Sequence, residues 1–145
     1  MTRRLYVETS APLRALLEGD APIEAELARG KLFTSALTFV EAGRAITRAR
    51  RERRLDASAA RDAERQLAAF ERGCDVLAIG DEVTRRARDE FPEELVRSLD
   101  AIHLASILVL DEALGEFEVV SCDERERRNA VALGFTVVPA STASP

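Results

Sequence analysis

Four acidic residues, Glu8, Glu41, Asp100 and Asp123, are spread across most of the chain, yet each falls at the same kind of place. Each lies either just past an apolar, strand-like run or in the first turn of a helix-like segment. In a parallel sheet, strand carboxyl ends and helix amino ends share one edge, and that edge is where open α/β sheets put ligands. Several carboxylates in one cleft repel one another and call for a cation. Oxygen-only ligation favours a hard ion such as Mg2+ or Mn2+. Such ions suit the activation of water for phosphodiester hydrolysis.

Every one of these acids also has a local explanation. Thr38-x-x-Glu41 fits a capping box, although Glu41 shares a helix face with Leu37, Ala45 and Ala49 that should point inward. Ser121-x-x-Glu124 fits another box and leaves Asp123 without a purely local task. Asp100 suits the positive end of its helix dipole, but it directly precedes an almost wholly apolar tract. Glu8 reads equally as a surface residue at a strand end. His103, the sole histidine, follows Asp100 by one turn and reads as structural. Asp111 would lie ~16 Å along the same helix from Asp100, too far for one metal centre. Glu116, Glu124 and Glu126 read as solvated or capping. Neither a histidine-rich zinc pattern nor a G-x-x-x-x-G-K phosphate loop is present.

The elements that would position the four acids alternate between strand and helix. Strands are expected at residues 5–7, 32–35, 74–79, 117–121 and 135–138. Helices are expected at 12–17, 22–29, 38–53, 57–71, 82–89, 98–114 and 124–133, with residues 139–145 as a loose tail. In the third helix Leu37, Val40, Ile46 and the alanines recur at helical spacing. Phe91 and Pro92 break the fifth helix, and Gly115 ends the sixth. The pattern predicts an α/β domain over residues 1–138 with a five-stranded parallel sheet flanked by helices. It leaves the strand order open.

Composition narrows the function. The 145 residues suit one domain. With 46% hydrophobic and 32% charged residues, the chain is not expected to be disordered. A net charge of −5 excludes a strongly basic nucleic-acid coat. Lys31 is the only lysine, so nearly all positive charge is arginine, which favours forked contacts to phosphate or carboxylate. The longest apolar tract is too short to cross a membrane, and the N-terminal apolar run breaks at Glu8, unlike a secretory leader. Cys74 and Cys122 lack metal-type spacing and read as free core thiols in a reducing cytoplasm.

Four segments resemble the PIN domain family. LYVETSAPLRALLEG resembles its opening motif, TSALTFVEAGRAI its second, LDAIHLASILVL its third and VVSCDERERRNAVALGFTVV its last. The resemblance covers nearly the whole chain in order, and its shape is similar to the VapC toxins of bacterial toxin–antitoxin pairs. It implies a three-layer fold and a metal-dependent endoribonuclease. Glu8, Asp100 and Asp123 would hold Mg2+ or Mn2+, Glu41 would ligate or activate water, and Thr9, Ser10 and Ser121 would support them. It further implies a cognate antitoxin as inhibitor and a homodimer.

One position departs from the family pattern, which has Asp where this chain has Glu8. Three readings fit: an active natural variant, a weakened homologue, or a residue introduced to blunt toxicity. The alternative function is accordingly an inactive PIN-like module that binds a protein partner or RNA. A phosphatase-like enzyme would need a nucleophilic Asp after the first strand, and Glu8 argues against it. Residues 44–72 carry nine Arg against five acids, a local excess of four positive charges. Arg44 and Arg48, on the helix of Glu41, are candidates to guide an RNA backbone, or they form exposed intrahelical pairs such as Arg48 with Glu52.

Overall fold

Leu5, Tyr6 and Val7 are wholly buried, as expected of a central parallel strand covered on both faces. The computed structural model describes residues 2–140. In chain order the elements are β1 (Arg3–Val7), α1 (Ser10–Glu18), α2 (Ala21–Leu27), β2 (Gly30–Ser35), α3 (Ala36–Arg51), α4 (Ala57–Arg72), β3 (Cys74–Leu77), α5 (Asp81–Arg86), α6 (Ser98–Leu114), β4 (Phe117–Val120), α7 (Glu124–Ala132) and β5 (Thr136–Val138). All strand pairs are parallel, in the order β3-β2-β1-β4-β5.

That order supplies what the sequence left open. The chain builds outward from β1 through β2 to β3, then crosses to the other side of β1 for β4 and β5. The reversal falls between β1 and β4, and open sheets form a ligand crevice at such a switch point.

Alternation along β1 assigns the layers. Leu5 and Val7 pack with Ala11 of α1 and Ile23 of α2 on one face. Tyr6 faces the other way, against Leu104 and Ile107 of α6 and Ala130 of α7. Helix α6 is buried almost all round, with His103 to Ile107 all inaccessible, which accounts for its continuous apolar run. Helices α3 and α4 pack on each other through Ala42, Ile46, Ala60, Ala63 and Leu67.

Some expectations need correction. Val40 is 62% exposed, although Leu37 and Ile46 on the same helix are buried as expected. The third strand stops at Leu77, and Ile79 lies beyond it, partly exposed. Cys74 and Cys122 are free, but half-buried at the margins of the core and not within it. Of the expected tail, residues 141–145 lie outside the described residues. Among the described residues, no helix is long and apolar enough to cross a membrane.

Candidate active site

Glu8 follows β1 directly, and its backbone N–H still joins the sheet by donating to Val120 O at 3.0 Å. The side chain is turned inward and only 7% exposed. Its Oε1 accepts from the hydroxyls of Ser10 and of Ser121, the latter at 2.7 Å. Its Oε2 accepts from Ser10 N–H at 3.1 Å. The two serines stitch the ends of adjacent strands together. Ser10 Oγ also accepts from Cys122 N–H at 2.8 Å, and Ser121 Oγ from Asp123 N–H at 3.1 Å. Burial raises the proton affinity of Glu8, against the opposing pull of His103 and these hydrogen bonds.

Glu41 enters from α3. The capping box with Thr38 does not form: Ser35 caps the helix by accepting from Leu37 N–H at 3.1 Å. Glu41 Oε1 instead accepts from Thr9 Oγ1 at 2.6 Å and lies 2.7 Å from His103 Nε2. His103 Nδ1 lies 2.8 Å from the Tyr6 hydroxyl. Burial, then the charges of Glu126 and Glu8, hold Tyr6 well above its ordinary pKa, so it remains a phenol that donates. That assigns Nδ1 as acceptor and Nε2–H as donor to Glu41. Burial pushes the Glu41 carboxyl up, but the His103 and Thr9 bonds outweigh it and hold the carboxyl below the ordinary range. Both bonds fall on Oε1 and leave Oε2 open. His103 is thus a buried support, in line with its structural reading.

Asp100 sits in the first turn of α6 and Asp123 at the start of α7. Burial first, and then the charge of Asp123, raises the Asp100 carboxyl. Asp123 therefore acts on Asp100 although the two come from different elements. Asp123 does have a local task, contrary to expectation: it is the N-cap of α7, accepting from Arg125 N–H at 2.9 Å and Glu126 N–H at 3.1 Å. Ser121 is not that cap; it serves Glu8.

The sequence reading missed Glu126. Expected to be solvated or capping, it is 1% exposed, and neither carboxylate oxygen has a hydrogen-bond partner among the described residues. Burial, then Glu8, Asp100, Asp123 and Glu41, push it up to about 10. Its spacing of three from Asp123, on one helix face, was the available signal. A second omission is a cleft of about 330 Å³ lined by Arg97, Arg125 and Arg128 together with Glu93, Glu94 and Leu95. Arg97 occupies the N-cap position of the helix of Asp100, and the charge of Arg125 lowers the Asp100 carboxyl, so this cleft borders the helix starts that carry the two acids. Arg44 and Arg48 are exposed on α3.

The donor set suits a hard divalent cation: carboxylates of low mutual tolerance, one of them buried without a partner. Among the described residues, however, no three His, Cys, Asp or Glu side chains are gathered closely enough to form a ready-made metal centre. Glu8 is held by the hydroxyls of Ser10 and Ser121, and Glu41 by Thr9 and His103.

Residues 5–133 match the PIN domain family, and the chain belongs to it. No curated protein is similar enough in sequence to match. Among solved structures, VapBC2 from Rickettsia felis bound to a DNA fragment from its promoter superposes with a TM-score of 0.66 at 8% identity, over 92% of this chain and 96% of that one. A toxin–antitoxin complex from Klebsiella pneumoniae gives 0.65 at 16% identity, over 96% and 99%. Mycobacterium tuberculosis VapC20, a toxin that cleaves the sarcin-ricin loop, gives 0.59 at 20% identity, over 97% and 99%. At these identities the likeness is one of fold.

Proposed function

We propose that this PIN domain, taken as residues 1–138, is a toxin-like endoribonuclease that hydrolyses RNA phosphodiester bonds with Mg2+ or Mn2+. The observation that carries this reading is that Glu8, Glu41, Asp100 and Asp123, drawn from four separate segments at the strand ends and helix starts, all act on the buried Glu126, while among the described residues none of the four has a lysine or arginine ion pair. Asp100, Asp123 and Glu8 would hold the ion. When bound, it would offset charge developing on the phosphate and lower the pKa of a bound water. Glu41 positions the attacking water and takes its proton at Oε2, while Thr9 and His103 pin Oε1. Ser10 and Ser121 fix the longer Glu8 side chain. In-line attack would leave a 5′-phosphate and a 3′-hydroxyl.

The proposed setting is a bacterial cytoplasm, with homodimerisation and inhibition by a cognate antitoxin. Val40, exposed beside Glu41, together with Arg44 and Arg48, offers a mixed apolar and basic surface for an antitoxin helix. An antitoxin arginine placed against the carboxylates would substitute for the cation's charge. Co-migration with a co-expressed antitoxin on size exclusion is the expected result, and independent migration at micromolar concentration would count against it.

The decisive assay compares wild type, Glu8→Asp and Asp100→Asn on structured and single-stranded RNA with Mn2+. Wild type is expected to cleave slowly, Glu8→Asp faster, and Asp100→Asn not at all. A misplacement near 1 Å costs about 100-fold, and one methylene is of that order. Equal background from three folded proteins would favour the binding-module alternative. Equal rates for wild type and Glu8→Asp would show that the serine clamp absorbs the extra length.

A further inference from the structure

The segment between α5 and α6 has no regular structure of its own, yet it is tied down at several points. Phe91 is buried, and Glu94 folds back to accept from the Phe91 N–H at 2.7 Å. Asn129 of α7, 1% exposed, grips the segment from the other side. Its Oδ1 accepts from Glu93 N–H at 2.9 Å, and its Nδ2 donates to Glu93 O at 3.0 Å. One buried amide thus fixes both polar backbone groups of Glu93 against α7. The cleft of about 330 Å³ lies between this anchored segment and the helix.

Two features of the cleft do nothing for the fold. Leu95 sits at φ 62°, in the left-handed region that favours glycine, and its apolar side chain is 89% exposed. The other feature is the arginines. Arg125 and Arg128 are three apart on one face of α7, and Arg97 comes from the start of α6. Among the described residues, none of these three guanidinium groups makes a hydrogen bond or a salt bridge. Arg127, between two of them in sequence, is instead tied to the carbonyls of Ser121 and Pro139, both at 2.7 Å. The helix therefore commits one arginine to the fold and leaves uncommitted the two that line the cleft.

Guanidinium forks match phosphate oxygens. The volume is at the small end of the range for ligand sites, suited to one nucleotide and too small for a duplex. Leu95 offers an apolar surface to the face of a base. Glu93 also lines the cleft, and its carboxylate can only accept hydrogen bonds. It would repel a second phosphate and suits the N–H groups of a base edge. We propose that this cleft seats one unstacked nucleotide of single-stranded RNA, its phosphate among Arg97, Arg125 and Arg128 and its base against Leu95. This rests on the nuclease reading and deepens it by naming the form of the substrate. Bases can be splayed out in this way in loops and single strands, not within a duplex. A nucleotide seated here holds the strand beside the helix starts that carry Asp100 and Asp123.

The test is binding of a short fluorescein-labelled single-stranded RNA, followed by anisotropy in EDTA to wild type, Leu95→Gly and Arg128→Ala. Glycine suits the backbone at position 95, so Leu95→Gly is expected to keep or gain stability to urea. Its RNA affinity is expected to fall about fivefold with the lost apolar contact. Arg128→Ala is expected to bind about tenfold more weakly. The same sequence as a duplex is expected to compete poorly. Unchanged affinity in both folded variants, or equal competition by the duplex, would overturn the seat, and Mn2+-dependent cleavage by wild type would then leave the nuclease reading intact. Neither binding nor cleavage of RNA by wild type would overturn both. Binding of a glutamate-rich peptide in place of RNA would also overturn the seat and assign the cleft to a protein. RNA carrying 4-thiouridine needs no substitution in the protein. Crosslinks are expected within residues 93–97 or 125–129, and crosslinks confined to α3 would refute the proposal even if the variants failed to fold.

Discussion

Ser121 joins two of the acids through one hydroxyl. It donates to Glu8 Oε1 and accepts from the N–H of Asp123. Ser121→Ala therefore strips a donor from a buried carboxylate and orphans a backbone N–H in one step. The expected loss of unfolding free energy is about 1–3 kcal/mol, measured by urea denaturation. Mn2+ affinity should fall about tenfold as well, as for other groups that orient ligands from behind. Unchanged affinity would mean that Glu8 keeps its place without the serine clamp. Residue identity made the four acids legible in the sequence, since each sits at a strand end or helix start. Glu126 was not legible, because a glutamate early in a helix ordinarily faces water. Its burial depends on how α7 packs in the fold, with α6 among its neighbours, which local sequence does not record.

Two sets of arginines, on different helices, are candidates to guide the proposed RNA substrate. Arg44 and Arg48 lie on α3, whereas Arg97, Arg125 and Arg128 line a cleft between the starts of α6 and α7. In the second set Arg97 precedes Asp100 by three residues and Arg125 follows Asp123 by two. Removing Arg97, Arg125 and Arg128 to Ala should weaken RNA binding and reduce the slope of log affinity against log salt by about 2, at ~0.7 per phosphate contact on single strands. A similar slope change on removing only Arg44 and Arg48 would instead place the RNA along α3. Element type and sequence order were readable throughout, because Gly, Pro and period changes punctuate the chain. Strand order was not readable, since nothing in β4 specifies which side of β1 it pairs with. On the other side of β1, β2 approaches closely at Gly30, where an added Cβ would meet Arg3 O at 2.5 Å. Gly30→Ala should accordingly destabilise the sheet by about 1–3 kcal/mol, read as an earlier urea midpoint.

At the scale of the whole molecule, the buried acid sets how stability responds to pH. Glu126 keeps its proton up to about 10 in the folded chain, against 4.5 ordinarily. Within that window the folded state binds the extra proton, so unfolding releases it and stability falls as pH rises. One such group gives a slope of about −1.4 kcal/mol per pH unit. Glu8 and Asp100, also raised, add in the same direction just above the ordinary carboxylate range. Glu41, Glu112 and Glu118 are lowered and act oppositely. Their contribution is present above the ordinary carboxylate range and is lost only as pH falls through it, so they are silent near neutrality. From about pH 6 to about pH 9, metal-free protein should therefore lose stability steadily, and Glu126→Leu should flatten the profile and be more stable than wild type at the alkaline end. Urea unfolding in a chelating buffer across that range measures both. A flat wild-type profile would mean that Glu126 is ionised in the folded chain and already has a compensating partner.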